Sequence, residues 1–401
     1  MDGSKKFKRV RIDDLEPGMI ISHDIYSADK KYLLIRKGTI LSKDIIFGLK
    51  RRGVKDIIVE ERKLSSQLLR LPLPKDMVRK KGVPFSYPAS LEGRIFYNYG
   101  GKMILKIEDP EIHDTKVKAI KTVHDILTNV MKTSNVDINA ARDTSENLIK
   151  AIIKNKTAFL NVAGMRMVDE YTFVHSVNVA AYSAIIAKEY GMSRNEMESL
   201  CLGGLLHDVG KMLVDPKILN KPDKLTDAEF DEMKTHTIRG YEILIENGVD
   251  ESIALIAKLH HERCDGSGYP DGLACEHIPV NAQIAAIADV YDALTSERVY
   301  KKAISSNNAM MIIISETGKK FNSEFVTIFQ KSVGIYPVGS LVRLNNGYIA
   351  RVIDQNEGIV RPVIQVMFDD SGKKLDDQVI INLMNTNELY IMESFHEQKV
   401  A

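Results

Sequence analysis

Tryptophan is absent from this sequence, and cysteine occurs only three times among its 401 residues. The cysteines are Cys201, Cys264 and Cys275, and none forms a CxxC pair, which argues against a four-cysteine zinc site and against a disulfide framework. No apolar run approaches the roughly 18 residues of a transmembrane helix, and the N-terminal segment lacks the apolar stretch of a secretory signal. These absences predict a reducing compartment, and we expect the protein in the cytoplasm.

An excess of charge of either sign is also missing. The chain has 55 Lys and Arg residues against 54 Asp and Glu residues, which gives a formal net charge of +1. This balance gives no reason to expect a nucleic acid polymer or a membrane surface as a partner. Hydrophobic residues make up 44% and charged residues 27%, which is typical of a globular protein with about two or three domains.

Changes in the sequence pattern divide the chain into segments. Turn signals and short apolar runs predict a small mixed α+β module over residues 1–62, followed by a Pro-rich linker with a possible strand pair over 63–114. Apolar spacing of three and four predicts connecting helices over 115–155 and a helical catalytic region over 150–335. Alternating apolar residues and hairpin turns predict a β-rich appendage over 336–401. The expected fold class is therefore mainly α, with small β-containing additions at both ends.

Five of the ten histidines lie within residues 175–261 of the predicted helical region, at His175, His207, His236, His260 and His261. Asp208 follows one of them directly, and Asp289 lies within an apolar helix predicted over 280–297. A carboxylate in that setting costs several kcal/mol unless it is paired or bound to a metal ion. Imidazole and carboxylate together suit two ions about 3.5–4 Å apart, an arrangement that hydrolyses phosphate esters.

Each of these residues also has a structural explanation when it is taken alone. A single helical histidine is more often a packing residue than a ligand. His207 and Asp208 could be a pair at a helix C-terminus, where the dipole favours histidine. His260 and His261 could form a solvated helix end. Their occurrence together is what favours a metal site.

Two motifs resemble a known family. The run from His207 to Lys211, HDVGK, resembles the HD signature of metal-dependent phosphohydrolases, and HHERCDGSGYP at residues 260–270 resembles the extended signature of the HD-GYP subfamily. The resemblance covers about residues 150–335 and does not explain residues 1–110. It implies an all-helical HD domain that hydrolyses cyclic di-GMP to pGpG or GMP in bacterial second-messenger signalling.

The resemblance also implies a role for each matching residue. Asp208 would bridge two ions, iron or manganese, and would act in catalysis together with Lys211, which would contact a phosphate or give a proton to the leaving oxygen. Arg298 and Lys301 would bind the phosphates and guanine, and Tyr269 would form part of the substrate wall and of a contact surface for partner proteins. The remaining ligands would be His175, His207 and Asp289 for the first ion, and His236, His260 and His261 for the second. Without the motif, Lys211 would be interpreted as a surface lysine. The Arg298–Lys301 pair would likewise be interpreted as part of a solvated helix face.

Two departures from the family pattern affect these expectations. Tyr171 stands where members with three ions place a glutamate, so two ions are expected. Cys264 stands where an aromatic residue is common, which indicates an altered pocket wall.

Two alternatives to the cyclic di-GMP hydrolase stay open. One is a catalytically weak scaffold that binds a cyclic dinucleotide or a partner protein, and the other is a hydrolase of another cyclic dinucleotide. The complete set of seven ligands favours an enzyme. The N-terminal module could be a sensor, a docking surface or the dimerisation unit of a homodimer, and we hypothesise that it regulates the hydrolase through the helices of 115–155.

Overall fold

The computed structural model describes residues 7–26, 33–35, 37–51, 53–60, 96–99, 102–105, 110–156, 159–160, 171–221, 223–296, 303–356, 358, 360–386 and 388–395. The described residues form two compact units. The first draws on residues 1–94, 305–316 and 333–401, and the second on residues 95–304 and 317–332. The predicted fold class is confirmed, because the larger unit is helical and small antiparallel sheets lie towards both chain ends.

The N-terminal part of the first unit has the mixed composition that its turn signals predict. Its elements are β1 (Phe7–Arg11), β2 (Ile20–Ile21), β3 (Ile25–Tyr26), β4 (Leu33–Ile35), α1 (Lys43–Arg51) and β5 (Asp56–Glu60). Antiparallel pairing gives a three-stranded sheet of order β1-β5-β2 and a separate β3-β4 pair. The Ser42 hydroxyl accepts a hydrogen bond from the Ile45 amide at 3.2 Å, and Gly53 follows α1 with φ +69°. Both are the end signals that a short helix requires.

The second unit begins with a strand pair and continues as a helical bundle. The elements that follow in the chain are β6 (Phe96–Tyr99), β7 (Lys102–Leu105), α2 (Pro110–Thr133), α3 (Ile138–Lys154), α4 (Tyr171–Tyr190), α5 (Arg194–Leu206), α6 (Pro216–Leu219), α7 (Asp227–Lys234), α8 (His236–Glu246), α9 (Glu251–Leu259), α10 (Val280–Thr295), α11 (Ser306–Ser315) and α12 (Ser323–Val333). Of these, α11 belongs to the first unit. The pattern Thr226-x-x-Glu229 predicts a capping box, and it is present at α7, where Thr226 and Glu229 satisfy each other's backbone amides.

Helices α4 and α10 form the centre of the bundle. Residues 174–187 of α4 are all buried, and α4 packs against α5 and α10. A helix that is apolar on every side must be enclosed by other helices. The polar residues on these two helices are therefore held inside the bundle, away from bulk water.

Helix α2 differs in detail from the predicted apolar stripe. Apolar residues at steps of three, four and seven between Val117 and Met131 predict that both residues face the core, but they are 40% and 59% exposed. Lys116 is buried in their place, at 3% exposure. Among the described helices, none has both the length and the apolar character needed to cross a bilayer.

The C-terminal segment is a five-stranded antiparallel sheet. Its strands are β8 (Leu341–Leu344), β9 (Ile349–Asp354), β10 (Val363–Phe368), β11 (Lys374–Asn382) and β12 (Ile391–Phe395), in the order β11-β10-β9-β8-β12. The turn at Asn346-Gly347 joins β8 to β9, with Gly347 at φ +87°. The last strand returns to pair with β8.

Within the first unit, the two ends of the chain pack together. The Tyr336 hydroxyl lies 2.9 Å from the Ser42 hydroxyl, and Lys43 forms a 2.9 Å ion pair with Glu393 on β12. Gly48 of α1 lies against the side chain of Met311 on α11, where a Cβ would lie 1.9 Å from the methionine methyl group. The predicted segment boundaries stay a prediction, and the structure adds that the first and last segments share one unit.

The cysteine pattern argued against a disulfide framework, and the described residues contain one disulfide bond. Cys264 and Cys275 are bonded to each other, while Cys201 is a free, buried thiol. The bond closes an 11-residue loop whose ends are already adjacent, because Asp265 and Ala274 form an isolated antiparallel bridge. Sequence spacing alone carries no information on that adjacency.

Candidate metal centre

Three helices of the second unit bring the first group of predicted ligands together. His175 lies near the start of α4, His207 follows the last residue of α5, and Asp289 lies in the middle of α10. One ligand atom from each residue lies within 4.8 Å of the others, and all three residues are buried. His175 Nε2 is 3.1 Å from Asp289 Oδ1.

A second group is assembled from the ends of α8 and α9. His236 is the first residue of α8, and His260 and His261 follow the last turn of α9. Together with Asp208, their ligand atoms also lie within 4.8 Å of one another. The backbone at Gly210 packs directly against the backbone at His236, which brings His236 close to Asp208. A side chain at residue 210 would prevent this packing, since its Cβ would lie 1.9 Å from the carbonyl oxygen of His236.

Asp208 stands between the two groups and turns one oxygen to each. Its Oδ2 lies 3.3 Å from His207 Nε2 and 3.8 Å from His175 Nε2. Its Oδ1 lies 3.6 Å from His236 Nε2 and 3.7 Å from His260 Nε2. This is the placement that a bridging carboxylate needs. The Lys211 ammonium forms a 2.6 Å ion pair with Asp208 Oδ2.

The outward-facing nitrogens of three imidazoles are held by backbone carbonyls. The Nδ1 atoms of His207, His236 and His260 donate to the carbonyl oxygens of Gly204 at 2.8 Å, Met233 at 2.6 Å and Ala257 at 3.0 Å. A nitrogen that faces a carbonyl must carry the hydrogen, so the lone pair of each ring is on Nε2. In zinc and iron proteins, ligand histidines are fixed in this way by their second nitrogen.

The inward-facing atoms fit metal ions better than they fit any described protein group. Nε2 of His207, His236 and His260 and Oδ1 of Asp208 are buried, and no described residue satisfies them with a hydrogen bond. Buried polar atoms without hydrogen bonds destabilise a fold unless something else binds them. Four such atoms that converge on two small spaces, each a lone-pair donor, form a suitable ligand set for divalent cations.

His175 is oriented by a carboxylate that the sequence motifs did not identify. Its Nδ1 lies 2.7 Å from Asp292 Oδ2, and Asp292 Oδ1 accepts a 2.7 Å hydrogen bond from the Asn178 amide. Ser296 donates a further hydrogen bond to Asp292 Oδ2 at 3.2 Å. The signal in the sequence was a second acid one helical turn after Asp289 in the same apolar helix.

The electrostatics keep the second group neutral and the carboxylates charged. Burial lowers the pKa of His236 to about 4 and that of His260 to about 3. Burial alone would raise the pKa of Asp208, but His207 and Lys211 outweigh it and hold that pKa well below its usual range. Neutral imidazole and ionised carboxylate are the forms that bind metal ions.

His175 differs from the other imidazoles. Burial lowers its pKa, but the hydrogen bonds that it donates to Asp289 and Asp292, with the charges of both carboxylates, outweigh this effect and raise the pKa to about 9. Burial alone would raise the pKa of Asp289, but the hydrogen bond from His175 and the charges of His261, His175 and His260 together hold it well below its ordinary value. Without an ion, the proton on His175 links these two carboxylates.

The loop of the HHERCDGSGYP motif lies over the second group. The Tyr269 ring stacks at 4.7 Å from the His261 ring. The buried Glu262 carboxylate accepts hydrogen bonds from the amides of Asp271 at 2.7 Å, Gly272 at 3.0 Å and Leu273 at 2.9 Å. A Cβ at Gly268 would lie 2.4 Å from the Glu262 Cα, so only glycine permits this fold of the loop.

The structure thus brings together the seven predicted ligands, with Lys211 and Tyr269 beside them. Two predicted substrate residues, Arg298 and Lys301, lie outside the described residues, as does the side chain of Tyr171. Besides Asp292, sequence reasoning assigned no particular function to Glu262, although it stands inside the motif.

The chain is similar to known proteins. The model of the HD domain family matches residues 147–325, and that of the KOW domain associated with HD domain matches residues 341–401. The chain is 37% identical over 250 residues to cyclic di-GMP phosphodiesterase PA4108 of Pseudomonas aeruginosa, covering 62% of this chain and 60% of that protein. It is 34% identical over 167 residues to 3′3′-cGAMP-specific phosphodiesterase 3 of Vibrio cholerae, covering 42% of this chain and 36% of that protein.

A solved structure is also similar. Bd1817, a HDG"Y"P protein from Bdellovibrio bacteriovorus, aligns with 81% of this chain and 98% of its own chain, at 16% sequence identity and a TM-score of 0.46. The family resemblance seen in the two motifs is confirmed by the match of the HD domain model.

Proposed function

Because residues 147–325 belong to the HD domain family, we propose that this chain is a metal-dependent phosphodiesterase that hydrolyses cyclic di-GMP. The observation that carries the proposal is the pair of ligand groups that share Asp208, with their lone pairs turned inward. The relative from Pseudomonas aeruginosa, named a cyclic di-GMP phosphodiesterase, supports the substrate. The chain matches only 60% of its length, so the activity of the whole protein is part of the proposal.

Two divalent ions are the proposed cofactors. The first would be held by His175, His207 and Asp289, and the second by His236, His260 and His261, with Asp208 shared between them. The mixture of imidazole and carboxylate is intermediate in hardness, which favours iron or manganese. We propose two ions and not three because Tyr171 stands where a third ion would need a glutamate.

When bound, the ions supply Lewis-acid activation of a water molecule and neutralise charge on the phosphoryl oxygens. The protein groups then orient the substrate and hold its protons. The Lys211 ammonium lies 2.6 Å from Asp208 Oδ2 and would give a proton to the leaving oxygen of the substrate or contact its phosphate. Tyr269 offers an aromatic face at the edge of the site. Arg298 and Lys301 would bind the phosphates and guanine, and the product would be pGpG or GMP.

A second cyclic dinucleotide is a competing substrate. The relative from Vibrio cholerae, named a 3′3′-cGAMP-specific phosphodiesterase, is 34% identical to this chain over 167 residues. Family membership alone therefore does not determine which bases the cyclic dinucleotide substrate carries. The location in the cytoplasm, a homodimer and the docking of partner proteins on the Tyr269 loop also stay proposals. The scaffold alternative is disfavoured because the ligand set is complete.

The test is turnover with defined metals. Protein purified without oxygen is stripped of metal, reloaded with Mn²⁺ or Fe²⁺, and incubated with cyclic di-GMP or 3′3′-cGAMP, and the products are separated by chromatography. We expect faster cleavage of cyclic di-GMP, and loss of turnover in His207→Ala but not in His277→Ala, which changes an exposed histidine. Faster cleavage of 3′3′-cGAMP would favour the second substrate. Binding without turnover in every metal would establish the scaffold instead.

A further inference from the structure

Helix α7 carries an exposed aromatic side chain. Phe230 is 46% exposed, and none of the eight residues of α7 is buried. An aromatic ring stabilises a fold by burying its apolar surface, so packing is a weak reason for a phenylalanine on this helix. A single exposed apolar residue is ordinary in itself. What distinguishes Phe230 is the set of groups beside it.

Phe230 ends a row of rings that begins at the proposed metal ligands. The ring centres of His260 and His261 are 4.0 Å apart, and the Tyr269 ring lies 4.7 Å from that of His261. The Phe230 ring follows at 6.3 Å from Tyr269 and stands nearly perpendicular to it, at 79°. The row therefore connects the second ligand group to an exposed aromatic face on α7.

An ion pair accompanies this face. The Lys234 ammonium lies 5.3 Å from the centre of the Phe230 ring, to which it is attracted by the π electrons. The same ammonium forms a 2.6 Å ion pair with Asp231. The ring is thus flanked by hydrogen-bond donors and by a carboxylate acceptor. A purine base has an apolar face together with ring nitrogens that accept hydrogen bonds and an amino group that donates them, so it matches these groups.

We infer that Phe230 is a substrate-binding residue whose exposed ring stacks on a purine base of the cyclic dinucleotide. The inference rests on the function proposed above, and it extends the site from Tyr269 to helix α7. A cyclic dinucleotide carries one base on each of its two nucleotides, so a phosphate at the metal centre has a base on either side. Every base has a π face, so this stack accepts guanine and adenine alike. Phe230 therefore favours a cyclic dinucleotide over a phosphodiester that has no base.

The experiment compares a substrate that has purines with one that has none. The full chain, loaded with Mn²⁺, is prepared as wild type, Phe230→Ala and Phe230→Tyr, with Phe47→Ala as the matched control. Phe47 is 42% exposed and its ring centre lies 5.9 Å from the guanidinium carbon of Arg51, but it belongs to the first unit, which holds none of the seven proposed ligands. The constants kcat and KM are measured with cyclic di-GMP and with bis(para-nitrophenyl) phosphate, a phosphodiester without a base.

The expected effect is confined to the substrate that has bases. Phe230→Ala should raise the KM for cyclic di-GMP by about 5- to 100-fold, the effect of losing one stack between a base and an aromatic ring. Its kcat/KM for bis(para-nitrophenyl) phosphate and its metal content per chain should equal those of the wild type. Phe230→Tyr should keep the wild-type KM, because tyrosine offers the same aromatic face. Phe47→Ala should behave like the wild type with both substrates.

The opposite results separate this inference from the proposed function. If Phe230→Ala leaves the KM for cyclic di-GMP unchanged, or impairs both substrates equally, Phe230 binds no base and the inference is wrong, while the proposed hydrolase stands. If the wild type binds cyclic di-GMP without cleaving it, the hydrolase is wrong, but calorimetry should still show weaker binding in Phe230→Ala by the same factor. If the wild type neither binds nor cleaves a cyclic dinucleotide, both proposals are wrong.

Discussion

Asp208 is the residue on which both ligand groups depend. One of its oxygens faces His207 and the other faces His236, at 3.3 Å and 3.6 Å from their Nε2 atoms. Asp208→Asn keeps the shape but removes the charge, so we expect weaker binding of both ions and a loss of activity greater than the roughly 100-fold cost of losing an outer contact. Metal content per chain and kcat/KM are the measurements. Asp223→Asn, an exposed change, is the control, and full metal content in Asp208→Asn would contradict the shared role.

The protonation state of His175 leads to a prediction about proton release when metal binds. Its pKa of about 9 means that the ring is protonated at neutral pH, whereas the pKa values of about 4 and 3 for His236 and His260 leave those rings neutral. Metal binding must displace the proton on His175, so about one proton per chain should be released near pH 7. The affinity of the first group should therefore rise with pH up to about 9 and then level off.

Titration calorimetry in two buffers of different ionisation enthalpy measures this release. His175→Ala should release about one proton fewer than the wild type, because it has no such proton to lose. Equal release in the two proteins would show that the proton comes from elsewhere.

The structure brings the seven residues proposed as ligands together in two groups, but their role as ligands stays a prediction. The role of Asp292 and the burial of Lys116 were not predicted, and the reason is physical. Asp292 acts through His175 and not on an ion, so its role depends on which helix packs against which. Nothing local to a lysine within a helix distinguishes a solvated side chain from a buried one.

At the level of elements, the loop after α9 is held by Glu262 and not only by the disulfide. Its carboxylate accepts from the amides of Asp271, Gly272 and Leu273, and the loop places Tyr269 on His261. Glu262→Gln replaces one acceptor oxygen by a donor that faces an amide. Loss of a hydrogen bond to a charged group costs about 1.5–3 kcal/mol, which corresponds to about 10- to 100-fold in KM if the loop binds substrate.

Steady-state kinetics and metal analysis test this prediction together. We expect a higher KM with both ions retained, because Glu262 contacts no ligand atom. Glu276→Gln, on the exposed side of the same loop, should behave like the wild type. A loss of metal with an unchanged KM would instead make Glu262 a support of the metal centre.

Element types were predictable because their signals are local. The capping box at Thr226, the hairpin turn at Asn346-Gly347 and the cap at Ser42 all act over three or four residues, and all three are present. The buried face of α2 was misjudged at Val117 and Met131 because the neighbours that cover a helix face come from distant parts of the chain. The Cys264–Cys275 bond was missed for the same reason.

At the level of the whole molecule, the two chain ends form one unit that the sequence could not reveal. Sequence patterns predicted an N-terminal module and a C-terminal appendage as separate segments, whereas Ser42 and Tyr336, far apart in the chain, are hydrogen-bonded. Packing between distant segments depends on the complementary shape of their surfaces, and it leaves no periodic pattern in the sequence. All seven proposed ligands lie in the other unit, within residues 95–304.

This separation predicts where metal will stabilise the protein. An ion at about 100 times its Kd stabilises the state that binds it by about 2.7 kcal/mol, or about 100-fold in the opening equilibrium. Amides of α5 and α9, which carry ligands at their ends, should therefore exchange hydrogen up to about 100-fold more slowly with metal than without. Amides of β1 and β5 in the first unit should change little. Hydrogen exchange measured by mass spectrometry on peptides from each unit gives both values, with Asp208→Asn as the protein in which metal should have the smallest effect. Equal slowing in both units would show that they open as one cooperative structure, and that the metal centre stabilises the entire chain.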